Sequence, residues 1–98
     1  MFVHTVFFYL KPELGDADRA AFERALENLG RCPQLQGYSW GRPVPSPRPV
    51  VVGGYDYAIN CLFKTEADQD AYQDDPLHHD FIQSQKEKWV KIEVYDFM

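Results

Sequence analysis

The chain has 98 residues, 45% of them apolar and 15% aromatic, and a formal charge of −5. That length supports one domain with a modest core, burying roughly 60–70% of the extended surface, and the apolar content excludes a disordered tail. The acidic balance argues against a nucleic-acid or anionic-membrane partner, both of which need a basic face. Two cysteines without CxxC spacing form neither a disulfide framework nor a metal clip.

In chain order, Phe2 to Leu10 is rich in β-branched and aromatic residues and reads as a strand. Phe2, His4, Val6, Phe8 and Leu10 share one face; Val3, Thr5, Phe7 and Tyr9 share the other. Both faces are largely apolar, so both are expected to be covered. Asp16 is the expected N-cap of a helix running to Leu29, with Phe22, Ala25, Leu26 and Leu29 facing inward. Gly30 and Pro33 stop it. A second strand fits Gln36 to Arg42. Pro43, Pro45, Pro47 and Pro49 then alternate with other residues, which excludes that stretch from a sheet interior and makes it an extended loop. Gly53-Gly54 is a turn, and Tyr57 to Phe63 alternates as a third strand. Thr65-Glu66-Ala67-Asp68 opens a short helix through Tyr72. Asp75-Pro76 opens another, with Asp75 as N-cap and Pro76 at its first position, running to about Lys88. Val90, Ile92 and Val94 alternate with Lys91, Glu93 and Tyr95 in a last strand. The segment Glu66 to Asp80 holds six acids and no Lys or Arg, the pattern of a solvated helical face.

The order βαββαβ predicts an α+β, ferredoxin-like sandwich over residues 1–98. Its helices cover one sheet face. The other is expected to be covered by a second copy, giving a homodimer through the sheet. No apolar run approaches the ~18–20 residues of a membrane span. The start MFVHTVFFYLKP lacks a basic region and a small-residue cleavage site. The expected location is therefore the cytoplasm.

On a helical wheel His78 falls in the middle of the inward stripe, flanked by Ile82, Gln85, Trp89 and Phe81, whereas His79 falls on the wet side. In the first turn of its helix His78 is disfavoured as imidazolium and is a candidate base. His4 shares its strand face with Val6 and Phe8 and is the second inward histidine. The break at Asp75-Pro76 can turn Tyr72 toward the same space as His78. The expectation is that both polar atoms open on one cavity, with His4 in reach. Val6, Phe8, Ile59, Cys61 and Trp89 would form its apolar wall. No spacing supplies a third ligand beside the two histidines, so no metal is expected, and no cofactor.

The strand carrying His4, the segment Gly54-Tyr55-Asp56, Phe63, and Tyr72 followed by Asp75-Pro76-Leu77-His78 and Phe81 resemble the stress-responsive dimeric α/β-barrel (Dabb) family over essentially the whole chain. The resemblance implies a ferredoxin-like protomer that pairs through its sheet into an eight-stranded barrel. Plant polyketide cyclases of that family close a linear tetraketide thioester by aldol condensation. Their histidine base and assisting tyrosine match His78 and Tyr72, and pocket residues match His4 and Trp89. A second pocket tyrosine of theirs falls at Leu26 or its neighbours, leaving that wall apolar. The enzyme reading is thus acid–base chemistry on a small carbonyl compound: His78 removes a proton and Tyr72 bonds the enolate oxygen. The alternatives are a non-catalytic, stress-associated binding or structural dimer, and haem binding, known among relatives of this barrel shape.

Overall fold

The computed structural model describes residues 1–98. Its elements are β1 (Phe2–Leu10), α1 (Asp16–Leu29), β2 (Gly37–Gly41), β3 (Tyr57–Phe63), α2 (Glu66–Gln73), α3 (Pro76–Gln85), a 3-10 turn (Lys86–Lys88) and β4 (Trp89–Phe97). The four strands form one antiparallel sheet in the order β2-β3-β1-β4, with the helices on one face. This is the ferredoxin-like α+β arrangement read from the element order. No helix is long and apolar enough to cross a membrane.

Two capping expectations hold and one is corrected. Thr65 Oγ1 accepts the Asp68 amide at 3.1 Å, and Asp75 Oδ1 accepts the Leu77 amide at 2.9 Å, with Pro76 at the first position of α3. At α1 the N-cap is Gly15, which offers no side chain, and Asp16 lies inside the first turn, where its charge favours the dipole. Gly30 ends α1 in a right-handed conformation. It is needed there for closeness: an added Cβ would lie 2.4 Å from the Tyr38 ring. Tyr38 can therefore reach over and donate its hydroxyl to the Leu26 carbonyl at 2.7 Å.

Alternation sorts the sheet's faces. Phe2, His4, Val6, Phe8 and Leu10 of β1, and Tyr57, Ile59, Cys61 and Phe63 of β3, are buried beneath the helices. Phe22, Leu26 and Leu29 of α1 and Phe81 of α3 close over them. Each such side chain is worth about 1.5–3 kcal/mol of burial. Phe22 is central, its ring centroid 5.2–5.7 Å from those of Phe8, Tyr57 and Phe81.

The helix layer is narrower than the sheet. Ile92 and Val94 of β4 stand opposite Phe8 and Val6 on the helix side, yet remain 41% and 46% exposed. The register also breaks between Tyr9 and Leu10: Tyr9 faces Lys91, but Leu10 faces Trp89, so Val90 has no partner. This bulge sets the Trp89 ring against Phe8 and stacks it on Phe81. Trp89 therefore belongs to β4. The expected helix to Lys88 gives way to a 3-10 turn after Gln85.

The second sheet face has no helix. Phe7 sits edge-on to Tyr55 and Tyr95, while Tyr95 and Phe97 remain exposed.

Candidate functional site

Where β4 outruns the helices, a cavity of about 300 Å³ opens between α3 and the sheet. His4, Val6, Phe8 and Ile59 form its floor, Ile92, Val94 and Asp96 its open side, and Phe81, Ile82 and Trp89 its apolar end. His78 and the amides Gln69 and Gln73 supply the polar wall from α3 and α2. His4, Val6, Phe8, Ile59, His78 and Trp89 are thus brought together. Trp89 arrives from the strand side of the bulge and not from the helix on which the periodicity placed it.

Two expected members lie elsewhere. Tyr72 is 1% exposed, does not line the cavity, and its hydroxyl faces Cys61 Sγ at 3.9 Å. Cys61 is fully buried behind the floor, opposite His4 across the β1–β3 pairing. The bend at Asp75-Pro76 does bring α2 to α3, but it presents the Tyr72 ring and not its hydroxyl. That ring lies 4.8 Å from His78 and 6.1 Å from His4, edge-on to both. Tyr72 is therefore a spacer between two imidazoles. Burial pushes its phenol far above the ordinary range, with Cys61 next in importance, so the hydroxyl stays protonated.

The structure adds a residue that patterning missed. Asp96 faces His4 across the β1–β4 pairing, and its Oδ1 lies 2.5 Å from His4 Nδ1. A carboxylate only accepts, so Nδ1 carries the hydrogen and Nε2 is the nitrogen left for other work. Asp96 continues the row Ile92, Val94, Asp96, and that period of two was the available signal. Gln69 and Gln73, four apart on α2, were likewise readable as one helical face.

His78 is half-buried, and its Nδ1 is shielded from solvent without a hydrogen-bond partner in the protein. Burial, then the charges of His79 and His4, hold its pKa below the ordinary imidazole value, against smaller raising effects of the Gln73 carbonyl and Asp75. A neutral imidazole there can accept a proton. His79 is exposed, on an outer groove with Lys86 and Glu87.

A larger cleft of about 560 Å³ lies beside α1, where Arg19 pairs with Asp56 and Arg42 with Glu23. It contains no histidine, whereas the smaller cavity has two.

The family model for the stress responsive A/B barrel domain (Dabb) matches residues 2–98. No curated protein matches the sequence. Among solved structures, the chain is similar to a dimeric ferredoxin-like protein of unknown function from Thermobifida fusca. That match has 22% identity and a TM-score of 0.81, covering 98% of this chain and 88% of that one. A Dabb family protein from Mesorhizobium loti matches at 20% identity and a TM-score of 0.79, over 99% and 94% of the two chains. A hydroxynitrile lyase from Passiflora edulis matches at 22% identity and a TM-score of 0.79, over 98% and 90%. At these identities the structural likeness speaks for the fold.

Proposed function

The chain belongs to the stress responsive A/B barrel domain family, and from that premise we propose that it binds a small carbonyl compound and moves a proton next to the carbonyl. One observation carries the reading: two histidines, one of them backed by a carboxylate, share an apolar cavity of about 300 Å³. The ligand's apolar body lies against Phe8, Phe81 and Trp89. Its oxygen turns toward the polar wall. His78, kept neutral by burial, accepts the α-proton. The side-chain amide of Gln69 or Gln73 donates to the developing enolate oxygen, while His4, its Nδ1–H held by Asp96, turns the Nε2 lone pair to the cavity as a second acceptor. Tyr72 acts as a positioning residue for both rings. The proton on His78 then returns to carbon, or the enolate carbon adds to a second carbonyl in an aldol-type, cyclase-like step whose alkoxide takes that proton. The chemistry needs no cofactor.

The bare sheet face, with Val3, Phe7, Tyr95 and Phe97, is the surface for a homodimer, which would bury more than about 1,200 Å² in total. Its protomers would each keep their own cavity on the far side of the sheet.

The test is deuterium exchange α to the carbonyl of 4-phenyl-2-butanone in D₂O, followed by NMR. The expected result is exchange well above buffer, reduced by about 10²–10⁴ in His78→Ala. Exchange no faster than with free imidazole at equal concentration refutes the catalytic part. Ketone binding without exchange would establish the non-catalytic binding reading in its place.

A further inference from the structure

We infer that the cavity selects uncharged ligands: a neutral carbonyl compound is accepted, and the carboxylic acid of the same skeleton is turned away by Asp96. This rests on the carbonyl-binding reading and sharpens it. The cavity lining contains no Lys or Arg. Its one carboxylate is Asp96, whose side chain is 41% exposed on the open β4 side. Asp96 also holds His4, so even a protonated His4 is already matched and leaves no net positive charge for a ligand anion. The remaining polar groups are the amides of Gln69 and Gln73, which can donate to a carbonyl oxygen, and the neutral His78 ring, and none of them brings a full charge.

Neighbouring cations lie outside the lining. Lys91 pairs with Glu93, on the other face of the sheet. Arg19 and Arg42 pair with Asp56 and Glu23 beside α1. Lys86 lies in the outer groove on the far side of His78 and does not line the cavity. A carboxylate entering the cavity therefore loses hydration without gaining an ion partner and meets the like charge of Asp96. An amine is desolvated in the same way, and only Asp96 Oδ2 is left to accept from it, since Oδ1 is bonded to His4.

Three probes of one skeleton test this: 4-phenyl-2-butanone, 3-phenylpropionate and 3-phenylpropylamine. Each is titrated into the full chain at about pH 7.5 and low salt, following the amide NMR shifts of His4, Trp89 and Asp96. The ketone should bind tightest and the acid at least about 10-fold more weakly. Asp96→Asn should narrow that ratio to about 3-fold or less. Val94→Arg, at the exposed lip, should invert it by tightening the acid. An acid that binds native protein as well as the ketone overturns the inference, as does a ratio unmoved in both variants. An amine tighter than the ketone also overturns it, since Asp96 would then be a cation site. Absence of any shift from all three probes refutes the cavity reading itself, and this inference with it.

Discussion

The pairing of His4 with Asp96 should be measurable as a coupling energy. The perturbation is a double-mutant cycle of His4→Ala, Asp96→Ala and the double variant. His4 is 6% exposed and its Nδ1 bonds Asp96 Oδ1 at 2.5 Å, so removing Asp96 leaves a buried donor without its partner. Such a loss costs about 1–3 kcal/mol. A hydrogen bond to a charged acceptor is worth about 1.5–3 kcal/mol when sheltered. The Asp96 side chain is 41% exposed, and solvent screening brings the expected coupling down to about 1–2 kcal/mol. His4→Ala should cost more than Asp96→Ala, because it also opens space on the cavity floor. The assay is urea denaturation of all four proteins at one protein concentration, since dimerisation would make stability concentration-dependent. The coupling is the departure from additivity. Additive single losses, within about 0.5 kcal/mol, would show that the two side chains do not form a bonded unit, and the orientation argued for His4 Nε2 would fail.

Three further outcomes are expected. His78 is held below the ordinary imidazole value of about 6.5 by burial, so the folded chain binds fewer protons there than the unfolded one; this contribution is present above that pH and is lost as pH falls below it. Denaturation from pH 7.5 to 5 should therefore show a shallower decline in His78→Gln than in the native chain, and parallel curves would contradict the shift. Burial pushes the Cys61 thiol up to about 12 and, with Asp75 second, Cys32 up to about 11. Neither should react with a disulfide reagent at pH 8 until urea unfolds the chain, and prompt labelling of native protein would show that the core opens. Phe7→Glu places a charge beside Tyr55 and Tyr95 on the bare sheet face; it should halve the mass seen by light scattering, and a native chain that is already monomeric at micromolar concentration removes the dimer.

Much of the architecture was legible because each element announces its own period. The two-sided apolar run of β1, the stripe of α1, and the Thr65 and Asp75 caps needed no tertiary knowledge. The cavity was only partly legible, because it depends on which strands become neighbours. His4 and Asp96 are 92 positions apart and meet only through the β1–β4 register. Nothing in the alternation of Ile92, Val94 and Asp96 says that its acid faces a histidine. Tyr72 failed for a different reason. The break at Asp75-Pro76 sets the direction of a helix but not the reach of a side chain on it, and the Tyr72 ring extends past the cavity wall so that its hydroxyl ends at Cys61. Trp89 was assigned to the correct place by the wrong element. The helix wheel carried it inward, whereas a bulge does so in fact.

That bulge has a consequence for how the chain tolerates changes in length. Val90 is the residue of β4 without a rung on β1, and it stands 65% exposed. For the gene it is a spare codon. Deleting it would join Trp89 to Lys91, which already face Leu10 and Tyr9 on consecutive rungs. Side chains would then alternate without interruption, and the indole would keep its place on Phe81. A codon lost between Ile92 and Asp96 finds no such slack beside it. It shifts the rungs by one and exchanges the faces of the residues that slide, turning Ile92 outward and drawing the Lys91 ammonium toward the cavity. Natural variation in the length of β4 should therefore accumulate at the rung beside Trp89, and the stretch that carries Asp96 should keep its count.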